Sequence, residues 1–151
     1  MSGLFGAVSK TGENCSQTLF YGVDYHSHLG TEYGGVAVLG KDFKRQIHSI
    51  AQSQFKSKFF EDIRKMEGSS GIGAISDSDE QPIYLNSKLG PFCIVTAGLI
   101  ENKDKLQAMC FKKDVSFCEV SPGGVNVPEL IGKLISLGDN FIDGIEKMFD
   151  V

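Results

Sequence analysis

The sequence predicts an α+β domain in which antiparallel sheets carry their helices as segregated layers. Two observations lead there. Apolar runs of strand length come in groups, and stretches of helical spacing come in pairs towards the end. The regular strand–helix alternation of a parallel doubly wound sheet is missing. With 151 residues, 41% apolar and 23% charged, the chain reads as one globular domain able to bury roughly two thirds of its unfolded surface.

The elements follow in order. Residues 3–9 form a buried strand, and Thr11-Gly12-Glu13-Asn14 a turn. Asn14 or Ser16 caps a helix to about Leu29, with Gly30 as the left-handed residue that ends it. Gly34–Leu39 is a buried strand, Gly40-Lys41-Asp42 a turn, and 44–50 a weaker strand. From Ser57 the spacing of Phe59, Phe60, Ile63 and Met66 is helical, with Gly68 closing it. Strands follow at 71–75, 82–86 and 91–96. Asn102 caps a helix through Lys112, a strand lies near 116–120, and Ser121-Pro122-Gly123-Gly124 is a turn. Helices at 127–137 and about 140–151 complete the chain. The last of these, with Phe141, Ile142, Ile145, Met148 and Phe149 on one stripe, stops at Val151 with no closing glycine or polar tail. Such an end predicts a fragment of a longer chain.

Several function classes are disfavoured. A net charge of −4 argues against general nucleic-acid binding, which needs a basic face to neutralise phosphates. No apolar run approaches the roughly 20 residues that span a bilayer, and no basic segment leads into an apolar core at the start. Cys15, Cys93, Cys110 and Cys118 follow no CxxC spacing, so reduced thiols in the cytoplasm are the simplest reading and no metal or other cofactor is called for. His26-Ser27-His28 sits on a helical stretch, where residues two apart diverge, and reads as surface or capping histidines. Asp77–Glu80 starts like a calcium loop, yet Lys88 stands where the bidentate glutamate belongs; a solvated acidic turn fits better. Gly71–Ser76 has Ser76 in place of the third glycine of a dinucleotide fingerprint.

What remains is the opening, Met1-Ser2-Gly3-Leu4-Phe5-Gly6. It is either the first strand of a sheet or, with Met1 removed, an N-terminal nucleophile. Three further segments bear on it: His28-Leu29-Gly30-Thr31-Glu32 leading to Gly35-Val36-Ala37-Val38, Gly71–Ser76 followed by Gln81-Pro82, and Thr96-Ala97-Gly98-Leu99 followed by Asn102. In this order and spacing the set resembles the N-terminal glutaminase domain of class II glutamine amidotransferases, the amidophosphoribosyltransferases in particular. The resemblance covers essentially the whole chain. Its matching part is the glycine skeleton of Gly3, Gly6, Gly30, Gly35, Gly71, Gly73 and Gly98, positions where a family needs close backbone approach or positive φ.

The resemblance implies a four-layer αββα sandwich of the N-terminal nucleophile hydrolase type, truncated at its C-terminal side. It also implies a chemistry whose polar residues are gone. In the family a terminal cysteine thiolate attacks the glutamine amide with its own α-amine as base. An asparagine and a glycine form the oxyanion hole, an arginine holds the substrate carboxylate and an aspartate its amino group. At the matching positions this chain has Ser2, Ala97 beside a retained Gly98, Ser76 and Asn126; Ala74 and Leu29 replace a neighbouring histidine and arginine. Serine can act as an N-terminal nucleophile, but one lost oxyanion donor typically costs about 10²–10³ in rate.

Three functional readings follow. The chain is a glutaminase-like domain without glutaminase activity, partnered by a C-terminal phosphoribosyltransferase domain of the same chain. Alternatively, Ser2 is a live nucleophile towards another amide. In the third, the vacated pocket binds a different ligand or partner. An incomplete sandwich would leave unpaired strand groups and favour homo-oligomers.

Overall fold

The computed structural model describes residues 1–151, the side chain of Val120 excepted. Its first half is a four-stranded antiparallel sheet covered on one face by two helices. The strands are β1 (Gly3–Val8), β2 (Tyr33–Leu39), β3 (Phe43–Ser49) and β4 (Ser70–Ser76), in the order β1-β4-β2-β3. The helices are α1 (Ser16–Tyr25) and α2 (Phe55–Ile63). Period-2 alternation sends Val36, Val38 and Ile75 to the helical face, where Leu19, Phe20 and Val23 of α1 and Phe55, Phe59 and Ile63 of α2 meet them in one core. Phe55 and Phe59, one helical turn apart, stack with ring centroids 4.3 Å apart. Burying each such side chain is worth about 1.5–3 kcal/mol, so this cluster dominates the stability of the half.

The second half is a hairpin backed by helices. β5 (Ile83–Ser87) and β6 (Gly90–Ile94) pair antiparallel, β7 (Val120–Ser121) and β8 (Gly124–Val125) make a minimal ribbon, and α3 (Lys103–Phe111), α4 (Val127–Ile135) and α5 (Phe141–Phe149) pack behind. Leu106, Cys110, Leu130, Ile131, Leu134 and Ile135 form a separate core there. Helices, sheet, hairpin and helices are the four expected layers.

The two inner layers touch closely at one end and part at the other. At the close end the β2 backbone passes Gln81 so tightly that a Cβ on Gly35 would lie 1.7 Å from the Gln81 carbonyl oxygen. Arg45 of β3 reaches across to donate to the Pro82 carbonyl, 3.2 Å. At the parted end lies an apolar cleft of about 770 Å³, bounded by Ala37, Leu39, Phe43, Ile72, Tyr84 and Cys93 among others. Burial there pushes the Cys93 thiol up to about 12. All four cysteines are free thiols, and among the described residues no helix is long and apolar enough to cross a membrane.

Several sequence expectations need correction. α1 stops at Tyr25 and a 3-10 turn takes Ser27–Leu29. Gly30 is extended, φ −156°; it is small because a Cβ there would sit 2.7 Å from Ile75 and 3.1 Å from the Ser76 nitrogen. α2 begins at Phe55 and ends at Ile63, so Gly68 is not its cap but packs on the Leu39 carbonyl. Of the strand expected near 116–120 only Val120 is in one, β7; residues 116–119 form none. The buried Glu129 carboxylate fixes that segment instead, accepting from the backbone N–H groups of Cys118 and Glu119. Asn102 precedes α3 but its side chain caps nothing there, donating to the Val151 carbonyl.

Candidate functional site

β1 carries the chain start to the end of the sheet where β4 runs out into Asp77. Met1, Ser2, Asp77, Ser78, Ala97, Gly98 and Leu99 surround a pocket of about 490 Å³ at that point. Three of the five positions named from the sequence, Ser2, Ala97 and Gly98, thus come together. Gly98 holds φ +150°, a conformation that favours glycine, and its N–H donates to no other described residue.

The loop bearing Ala97 and Gly98 is positioned by Gln81. That side chain is buried at the entrance to β5, where its Nε2 donates to the Thr96 carbonyl (3.0 Å) and its Oε1 accepts from the Thr96 N–H (2.8 Å). A buried amide pairing both ways with one residue locks the following two residues in place.

Ser76 and Asn126 lie behind the pocket, in a hydrogen-bond network that uses them up. The Ser76 hydroxyl, 1% exposed, accepts from the N–H groups of Ser78 (3.2 Å) and Asp79 (3.0 Å). Asp79 Oδ1 accepts from the Ser121 hydroxyl, 2.6 Å, and from the Val127 N–H at the start of α4. Asn126 Nδ2 donates to the Glu80 carbonyl (3.0 Å) and to Ser121 Oγ (3.3 Å). Its Oδ1 caps α4 by accepting from the Glu129 N–H, 3.0 Å. Both side chains are therefore structural members of the 76–80 turn and the α4 cap.

The residue that sequence reasoning missed is Asp77. Its Oδ2 pairs with the N-terminal amine of Met1, and its Oδ1 accepts from the Thr31 N–H (2.8 Å) and hydroxyl (3.2 Å). Residues 77–80 are accordingly no mere solvated turn: Asp77 tethers the terminus and Asp79 anchors α4. The one available signal was position, immediately after the strand that pairs with the chain start.

The N-terminal amine and then the Thr31 backbone N–H hold the Asp77 carboxyl below the usual carboxylate range. A depressed folded pKa means that the contact is fully present above the unfolded value of about 3.9 and is lost as pH falls through the folded one. The Thr31 amide resonance is expected to stay constant from about pH 7 to 5 and to move only in the acid range below about 4. In Asp77→Asn it should lie at the shifted position throughout. A Thr31 titration between those two upper values would contradict this tether.

No family model matches the chain, and no curated protein matches it in sequence. Solved structures do match it in fold, two among them with equal similarity. One is the glutamine phosphoribosylpyrophosphate amidotransferase from B. subtilis complexed with ADP and GMP, with TM-score 0.81 and 18% identity over 99% of this chain and 32% of that one. The other, the allosteric regulatory enzyme of purine biosynthesis, has TM-score 0.81 and 18% identity over 99% of this chain and 33% of that one. The chain thus spans about a third of the length of these structures. Its α+β fold with antiparallel sheets is shared with these structures, as the resemblance implies.

Proposed function

We propose that this chain is the glutaminase-like domain of an amidophosphoribosyltransferase homologue in cytoplasmic purine nucleotide biosynthesis, and that its glutamine-hydrolysing chemistry has been lost. Transferase chemistry, on this reading, belongs to a phosphoribosyltransferase domain joined to it. The observation that carries the reading is the state of the pocket's polar positions. Ala97 offers a methyl group where an oxyanion donor would stand, leaving the Gly98 backbone as the donor. The Ser76 hydroxyl is turned into its own loop and supplies no cation for an α-carboxylate. Asn126 spends its amide on Glu80, Ser121 and the α4 cap. Loss of an oxyanion donor costs about 10²–10³ in rate, and the missing guanidinium removes the strongest anchor for a carboxylate.

The expected result is that protein with Met1 removed hydrolyses glutamine no faster than its Ser2→Ala variant does. Glutamine turnover abolished by Ser2→Ala would falsify the proposal.

One observation favours a second reading, in which Ser2 attacks a different amide: Ser2 does share a pocket with the unengaged Gly98 N–H. This mechanism needs a free α-amine on Ser2 as base. Intact-mass measurement decides it, since a retained Met1 leaves no such amine.

A further inference from the structure

A second pocket, of about 420 Å³, opens where three segments meet: the last turn of α1 with the 3-10 turn after it, the connection from β3 to α2, and the first turn of α2. It lies back to back with the candidate site. Gly30 and Thr31 form one wall of it, and the N–H and hydroxyl of the same Thr31 hold Asp77 in the other pocket. Neither chain end lines it.

Its lining divides into an apolar floor and a polar rim. Ile50 and Phe55, 8% and 1% exposed, belong to the core beneath. Around them stand Asp24, Ser27, Ser53 and Lys56. The state of Asp24 sets it apart from its counterparts. Among the half-buried aspartates, Asp62 pairs with His48, Asp79 with Ser121 and Asp143 with Lys147. Asp24 is half-buried too, and its carboxylate has no partner among the described residues. The Ser27 and Ser53 hydroxyls are equally unengaged there, and the Lys56 ammonium lies 5.8 Å over the Tyr21 ring. A few convergent polar groups around an apolar floor are what a small-molecule site presents.

We propose that this pocket binds a free α-amino acid with an apolar side chain. The charges select the class. Asp24 and Lys56 are the charged residues of the lining, one of each sign. A ligand with one ammonium and one carboxylate gives each its partner, whereas a simple anion or cation would also face its own sign. An α-amino acid carries both charges on one carbon and can turn its side chain to Ile50 and Phe55. The Ser27 and Ser53 hydroxyls, each both donor and acceptor, can serve either charged group. The volume suffices, since small-molecule sites begin at about 300 Å³.

The test is a titration of isotope-labelled protein followed through its backbone amides. L-Leucine should bind with a Kd of about 0.1–1 mM, moving the amides of Ser27, Ser53 and Phe55 and leaving that of Gly98 in place. Isoamylamine is leucine without its carboxylate, and isocaproate is leucine without its ammonium; each should bind about tenfold more weakly. Asp24→Asn should weaken leucine about tenfold without weakening isocaproate. Lys56→Gln should weaken leucine to the same extent without weakening isoamylamine. Circular dichroism confirms that both variants fold. The absence of any shift with leucine up to about 20 mM, shifts at Gly98 in place of Ser53, or single-charge analogues that bind as well as leucine would overturn the proposal. An ion pair closing between Asp24 and Lys56 would give the first of these results. None of the readouts involves hydrolysis, so the outcome is independent of that of the glutaminase assay.

Discussion

Gly35→Ala is expected to destabilise the domain by about 4 kcal/mol and to lower its Tm by roughly 8–16 °C. The reason is a backbone-on-backbone contact. The added Cβ would sit 1.7 Å from the Gln81 carbonyl oxygen and 2.7 Å from Pro82 Cδ. No side-chain rotation relieves that overlap; one inner layer has to move away from the other. Gly6→Ala is the control, because the nearest heavy atom to its Cβ is 3.6 Å away and exchanging glycine for alanine in a strand generally helps. Thermal unfolding of the two variants side by side measures the difference. The effect should also reach the site, since Gln81 sets the position of Thr96 and hence of Ala97 and Gly98. A Gly35→Ala protein within about 1 kcal/mol of the parent would show that the layers are not in contact as described.

The second large effect concerns Asn126. The resemblance implies an aspartate at this position, yet Asn126→Asp is expected to cost about 2–4 kcal/mol at neutral pH. The position is fully buried. A carboxylate could still accept from the Glu129 N–H, but the oxygen replacing Nδ2 would face the Glu80 carbonyl at about the 3.0 Å that now separates donor and acceptor. Lone pair would oppose lone pair, with the Asp79 carboxylate one serine away. Burial and these neighbours raise the pKa of the new acid in the folded state. Its protonated form then stabilises the fold below the unfolded value of about 3.9, and the deficit relative to the parent grows as pH rises through that value. Chemical denaturation at pH 7 and in mild acid should therefore show a penalty that shrinks on acidification. A penalty that is absent at pH 7, or constant across the range, would mean that Nδ2 does not donate to Glu80.

The strands and helices with strong patterns were legible because burial itself makes the pattern. Val36-Ala37-Val38 and Ile75 read as core strands, and the spacing of Phe59, Phe60, Ile63 and Met66 as a helix, since each follows the period of its element. The strand expected near 116–120 is reduced to its end, where β7 begins at Val120, because the order of the residues before it comes from elsewhere: two backbone N–H groups are held by a carboxylate some ten residues later, on α4. Gly30 misled in a different way. A glycine after a helix suggests a left-handed cap, but here it answers the proximity of Ile75 and Ser76 on a strand far along the chain. At the site, the opening residues and Ala97-Gly98 could be placed together through the glycine skeleton they share with a known fold. The tether by Asp77 could not be found that way, because it joins the first residue to one 76 positions later and no local pattern records such a meeting.

The presence of two hydrophobic cores, one under the sheet and one under the hairpin, bears on how the pocket is lost. Ser2 is anchored to the first core through β1, and Ala97-Gly98 to the second through Gln81 and the hairpin. The pocket is thus a property of docking between two folding units and belongs to neither alone. A sub-global opening that left both cores intact, and most amides protected from solvent exchange, would already erase it. Any ligand that bridges Ser2 and Gly98 would close that opening and slow exchange at the interface residues Gly35 and Arg45. Its affinity would then measure the free energy of docking as well as the contacts it makes.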